Sequence, residues 1–377
     1  MIHRQIWVDR IERAWRQAPI VWLSGVRRVG KTTLARTLAG EHYFNCDLPS
    51  VAARTAEPER FWASQKGRVV VLDEVHQLPD PSRLLKIAAD AYPGLRVLAT
   101  GSSTLAATRK FRDALTGRKR EVVLLPVLAE ETDAFGANIE QRLHRGGLPP
   151  ALLAERSDPE LYAEWLDSFF ARDVQELFRI GKRTAFLRVL ETLLRQSGGL
   201  LDVSSLSRTC DVSRPTALGW LEALQVMHAI HVVRPFHGGG TRELVRQPKV
   251  YGFDTGFVAH VRGWDRLRTD DCGPLWEHLV RDTLASLPGG RAVQFWRDKA
   301  KREVDFVVPR GRASCDAIEC KWSAAAFDPG ALKAFRALHP SGRNLVVTPD
   351  PGDPYERRLG GLTVTFCGAV HLRGLLG

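Results

Sequence analysis

No stretch of this 377-residue sequence approaches the run of about 20 apolar residues that a bilayer-crossing helix needs, so no membrane span is expected. The first residues, MIHRQIWVDRIERAWRQ, carry arginines throughout and lack a central apolar segment. A secretory leader is therefore not expected, and the cytoplasm is the expected location. Cysteine is sparse. The six cysteines (46, 210, 272, 315, 320 and 367) form no C-x-x-C pair and no Cys/His cluster at zinc spacing, which argues against both a structural zinc site and a disulfide framework. Internal repeats and low-complexity tracts are also missing.

What is present is basic. The formal net charge of +11 favours polyanionic partners, nucleic acid first. The length calls for two or three domains. Residues 1 to about 18 read as an amphipathic helix with a stripe of Ile6, Val8, Ile11 and Trp15. Short apolar runs then alternate with helical patterns: IVWLS, RVVVLDE, LRVLATGSS and REVVLLP. That alternation predicts an α/β domain with a parallel sheet covered by helices on both faces, over residues 1–145. The RGGLPP segment at 145–150 reads as a domain boundary.

Within the first domain, Gly25-Val26-Arg27-Arg28-Val29-Gly30-Lys31-Thr32 matches G-x-x-x-x-G-K-[ST] between a strand and a helix. Such glycines let main-chain N–H groups converge on phosphate oxygens at a helix N-terminus. Lys31 would reach the β- and γ-phosphates, the Thr32 hydroxyl would ligate Mg²⁺, and Thr33 follows in the same turn. About forty residues on, VVVLDE ends a buried strand with Asp73 and Glu74. Asp73 would hold Mg²⁺ through water, and Glu74 would polarise an attacking water. Thr100 and Ser102 end a third strand, placed to sense the γ-phosphate or the lytic water. Arg118, in LTGRKREV, reaches a phosphate of its own chain or of a neighbour in a homo-oligomer, or else belongs to a solvated basic turn.

In series, GVRRVGKTTL, VVVLDEVHQLP, LATGSS, LTGRKREVVLLP and GGLPPAL resemble the bacterial and archaeal AAA+-type P-loop ATPases joined to a C-terminal domain of unknown function. The similarity continues through FFARDVQEL, VYGFDTGF, GPLWEHLV and REVDFVV…AIECKW. It implies ATP as ligand and an AAA+-like fold, and it implies no particular cellular role.

Residues 146–260 read as a helical linker followed by a winged helix-turn-helix. A helix within TAFLRVLETLLRQSG is followed by helix, turn and helix across VSSLSRTCDVSRPTALGWLEALQVM, with Ser213 as N-cap. AIHVVRPF, HGGG and TRELVRQPKVYGF then form a hairpin. Arg208, Arg214 and Thr216 could approach a DNA groove and Arg242 could sit on the wing; a lid or protein contact is the alternative.

Residues 261–377 contain REVDFVVPRGRASCDAIECKW. A hairpin centred on Arg312 sets Asp305 opposite Glu319 and Glu303 opposite Lys321, on one face, with an apolar face behind. Either this is a solvated face with a Glu303–Lys321 pair, or Mg²⁺ relieves the Asp305–Glu319 repulsion and Lys321 stabilises developing charge. Acid, turn and E-x-K resemble the PD-(D/E)XK nucleases, a restriction-endonuclease-like α/β fold. Glu277 matches the acid those folds carry on their first helix, or pairs with Arg281 at i, i+4. Arg297, Lys299 and Lys301 lie where a DNA phosphodiester would run. Three functions follow as expectations: an ATP-hydrolysing switch coupled to DNA or a partner, an ATP-regulated DNA nuclease, and a DNA-binding regulator without turnover.

Overall fold

The computed structural model describes residues 2–40, 42–65, 68–101, 105, 108–174, 182–237, 246–289, 292–311, 314–349 and 352–377. The chain divides into two compact units. One comprises Met1–Leu125, Asp167–Arg179 and Val226–His228; the other comprises Pro126–Leu166, Ile180–Gln225 and Ala229–Gly377.

The first unit is a parallel sheet of five strands: β1 Ile20–Ser24, β2 Tyr43–Asn45, β3 Val69–Asp73, β4 Arg96–Thr100 and β5 Lys119–Val123, in the order β2-β3-β4-β1-β5. All five residues of β1 are buried, as a strand covered on both faces requires. Trp22, Leu72, Val97 and Phe111 share its main core, and Trp22 meets Phe111 edge to face at 5.0 Å. The helix Gln5–Trp15 buries Trp7, Ile11 and Trp15. Its stripe runs at i, i+4 and i+8, leaving Ile6 and Val8 only half-buried, because the larger indoles gain more from burial.

The second unit holds a mixed sheet of nine strands: β6 Gly199–Leu200, β7 Ile230–Pro235, β8 Lys249–Gly252, β9 Gln294–Arg297, β10 Glu303–Arg310, β11 Ser314–Cys320, β12 Asn344–Thr348, β13 Tyr355–Leu359 and β14 Leu362–Gly368. Their order is β13-β14-β12-β11-β10-β9-β7-β8-β6. Helices Arg183–Arg195, Val203–Cys210 and Arg214–Val226 precede β7, and the Ser213 hydroxyl caps the last by accepting from Thr216 N at 3.2 Å. The β10–β11 hairpin pairs Phe306 with Ile318 and Arg310 with Ser314, the register expected from the sequence. Val304, Phe306, Val308, Ile318 and Cys320 are buried, so its apolar face is a core face.

Packing and strand pairing run across both positions, near 145 and 260, where boundaries are expected. The glycine turn at 146–147 is pinned into the second unit: Gly147 N donates to Asp254 Oδ2 at 2.6 Å, and a Cβ on Gly146, at φ 83°, would lie 2.0 Å from Asp254 Oδ1. Glycine there permits a close approach of packed segments rather than marking a linker. Residues on either side of 260 share one sheet, because β7 pairs in parallel with β9 through Arg234–Gln294 and Pro235–Phe295.

Candidate functional site

In a parallel sheet the C-terminal ends of neighbouring strands share one edge, and register sets which residues meet there. Leu23 of β1 lies beside Thr100 of β4, and Leu72 of β3 beside Ala99, so Ser24, Asp73 and Thr100 converge. The loop after β1 turns sharply, with Gly25 at φ 138°, Arg28 at 63° and Gly30 at 102°, and leads into the helix Lys31–Ala39. Gly25 is required sterically as well, since a Cβ there would come within 2.4 Å of Leu124 O. The Lys31 ammonium lies over the loop and donates to Gly25 O at 2.8 Å and Val26 O at 3.1 Å. Those carbonyl oxygens stand where an ammonium-binding phosphate oxygen would compete. Thr32 and Thr33 are exposed in the first helical turn.

Asp73 is buried, 3% exposed, and accepts hydrogen bonds from the Thr100 hydroxyl at Oδ1 and the Tyr43 hydroxyl at Oδ2. Two donors leave its other lone pairs for a metal-bound water. Thr100 also accepts from Glu74 N at 3.0 Å, holding Glu74 at φ 56°, an uncommon backbone for a glutamate. Glu74 Oε2 lies 3.3 Å from His76 Nδ1. Burial pushes the Glu74 carboxyl up, partly offset by the nearby His76 and Lys31 charges. Burial and the Asp73 carboxylate push the Tyr43 hydroxyl up to about 12, so it stays a donor. Tyr43 and His76 have no motif signature; Tyr43 arrives from a three-residue strand thirty positions before its partner.

Gly25, Gly30, Lys31, Thr32, Thr33, Asp73, Glu74 and Thr100 therefore stand at one sheet edge. Ser102 lies outside the described residues. Arg118 is elsewhere: it precedes β5, at the opposite end of the parallel sheet, and grips Asp90 with two guanidinium nitrogens at 2.5 and 3.1 Å. Its reading as a phosphate ligand within its own chain is thereby corrected.

Of the residues read as DNA contacts, Arg214 is exposed at the first residue of its helix, and Lys299 and Lys301 are exposed between β9 and β10. Arg297 is half-buried and donates to Glu303 Oε2 at 2.7 Å. Arg242 lies outside the described residues.

The acids of the second unit are not a solvated face. Asp305 and Glu319 are 9% and 3% exposed, and Glu277 reaches them from the helix Thr269–Ala285. The expected cross-strand Glu303–Lys321 pair is replaced. Glu303 binds Lys249 Nζ at 2.5 Å and Arg297, while Lys321 binds Glu319 at 2.7 Å and lies 3.6 Å from Asp305. Glu277 pairs not with Arg281, which binds Asp282, but with Lys249 at 2.8 Å and the Tyr251 hydroxyl at 2.5 Å. Burial, with Asp305 nearby, lifts the Glu319 carboxyl to about 8 against the opposing pull of Lys321. Lys249 escaped the sequence reading because KVYG looks like an ordinary strand. Ammonium groups already pair with these carboxylates where the implied Mg²⁺ would sit, although Glu319 Oε1 is buried with no hydrogen-bond partner. Among the described residues no group of three or more His, Cys, Asp or Glu is arranged to hold a metal ion.

A family model described as an AAA domain matches residues 17–132, and models of two domains of unknown function, DUF8612 and DUF4143, match residues 136–268 and 272–359. With the loop geometry, this defines an ATP-binding P-loop protein of the AAA type. The Mycobacterium tuberculosis protein Rv2008c and the Mycobacterium bovis protein Mb2031c are each 31% identical over 323 residues, covering 82% of this chain and 71% of theirs. The chain belongs to the same family as these two proteins. Among solved structures, it is similar to a Walker-type ATPase of Pyrococcus abyssi, at 16% identity and TM-score 0.46, over 70% of this chain and 96% of that one. It is also similar to Cdc6p of Pyrobaculum aerophilum, at 13% identity and TM-score 0.28, over 70% and 94%. No helix among the described residues is long and apolar enough to cross a membrane.

Proposed function

We propose that this protein is an ATP-hydrolysing molecular switch whose second unit engages DNA or a partner. One observation carries the reading: a single buried hydroxyl, Thr100 Oγ1, ties Asp73 and the main chain of Glu74 together beside the P-loop. When bound, Mg²⁺ would neutralise charge between the β- and γ-phosphates. Thr32 and, through water, Asp73 would hold it, and the P-loop amides with Lys31 would grip the phosphate tail. Glu74, beside Asp73 at this edge, would orient and deprotonate the attacking water. His76, within 3.3 Å, would hold its side chain in place.

The DNA part of the reading is supported by the charge of +11, by the exposed Arg208, Arg214, Lys299 and Lys301, and by an order of helices and strands in 183–252 compatible with a winged helix. A phosphate-release assay with and without DNA tests it. Lys31→Ala is expected to abolish nucleotide binding, whereas Glu74→Gln retains binding and loses turnover. Equal turnover by Lys31→Ala and native protein would refute the site. A turnover rate indifferent to DNA, with no salt-sensitive DNA binding, would remove the DNA coupling alone.

A further inference from the structure

The second unit contains a lysine that no motif accounts for. Lys249 is 3% exposed, deeper than every other described lysine or arginine except Arg142, and lies on β8 between β7 and β6. A buried ammonium survives only if carboxylates and hydrogen bonds compensate for its lost hydration. Here its Nζ lies 2.8 Å from Glu277 Oε1 and 2.5 Å from Glu303 Oε1, with the ring of Phe295 centred 5.6 Å away. Asp305 adds to the negative field around it. The other acids have separate donors, and Glu319 Oε1 alone of their oxygens is buried without a hydrogen-bond partner among the described residues. Lys321 bridges Glu319 and Asp305, and Cys320 N donates to Asp305 Oδ2 at 2.7 Å. Four carboxylates (277, 303, 305 and 319) thus face three side-chain cations, Lys249, Arg297 and Lys321, in direct contact.

A divalent ion in this cluster would stand within a few ångströms of two ammonium groups. It would have to displace Lys249, whose side chain is 3% exposed and held by two carboxylates. We infer that Lys249 is the permanent counter-ion of this acidic cluster, making the nuclease-like centre a sealed ionic clamp that excludes divalent metal. The clamp joins β8 to the helix Thr269–Ala285 and to β10, three elements far apart in sequence. In this reading a lysine supplied by a neighbouring segment has taken over the charge-neutralising task that a metal performs in a cutting site.

The test uses the full chain in an Asp73→Asn background, so that an ion at the P-loop is not counted. Mn²⁺ binding is followed by electron paramagnetic resonance and calorimetry. The chain with Lys249 intact is expected to bind no Mn²⁺ at the cluster, and Lys249→Ala to gain one ion with affinity at least tenfold higher, lost again on adding Asp305→Asn. Binding of one Mn²⁺ by the Lys249 chain that Asp305→Asn removes would overturn the inference. So would a folded Lys249→Ala chain that gains no site. If Lys249→Ala fails to fold, a double-mutant cycle decides. Lys249→Met with Glu277→Gln should be more stable than Lys249→Met alone, because both charges leave together. Strict additivity of the two substitutions would overturn the clamp.

Discussion

Thr100→Val keeps the shape of a fully buried side chain and removes one hydroxyl. That hydroxyl has two partners, the Asp73 carboxylate as acceptor and the Glu74 amide as donor. Losing a charge-assisted bond and leaving one buried N–H unpaired is expected to cost about 2–4 kcal/mol. For a unit of this size that lowers the Tm by roughly 6–12 °C. Nucleotide affinity should change little, because the P-loop, Lys31 and Thr32 are untouched. Turnover should fall by about tenfold or more, since Glu74 loses the tether that holds it at φ 56°. Thermal melts, calorimetric ATP titration and steady-state phosphate release measure the three effects separately. Thr100→Ser retains the hydroxyl and should recover most of the rate. If valine and serine lose turnover equally, or the valine variant melts like the native protein, the hydroxyl does not organise this edge.

Gly25→Ala places a Cβ 2.4 Å from Leu124 O at φ 138°, so the loop must open, and ATP affinity should drop by about a hundredfold; unchanged binding in calorimetry would show that the loop tolerates the strain. Arg118→Ala breaks an exposed pair with Asp90 at the far end of the sheet and should leave kcat within about twofold. A hundredfold loss of phosphate release without loss of fold would mean that Arg118 reaches the phosphates of another copy. Glu319 has a raised carboxyl, so its share of stability is complete below its ordinary value, 4.5, and is lost as pH rises through about 8. Glu319→Gln, neutral throughout, should flatten that decline in denaturant titrations at pH 5, 7 and 9; an unchanged slope would place the titrating group elsewhere.

The parts of the fold legible in the sequence are those with local rules. A G-x-x-x-x-G-K-T loop needs a strand before it and a helix after it, and both are found. The buried runs IVWLS and VVVLD are strands because continuous apolar character suits a sheet covered on both faces. The β10–β11 register followed from the symmetry of one short hairpin. What stayed hidden depends on distance along the chain. Tyr43 meets Asp73 across thirty residues, and Lys249 meets Glu303 across more than fifty, with no spacing to announce either. Arg118 misled for a different reason. A basic residue beside a strand does not announce which end of the sheet it occupies, and in a parallel sheet the two ends have opposite roles.

The short parallel join between β7 and β9 also dictates how the molecule can be taken apart. A fragment stopping near residue 260 would present β7 with a bare row of main-chain donors and acceptors, an invitation to pair with other chains. It would also leave the ammonium of Lys249 without its acids, Glu277 and Glu303, which lie beyond that point. Expression of either half alone should therefore yield insoluble material, and any proteolytic nick that leaves soluble pieces must fall somewhere other than that seam.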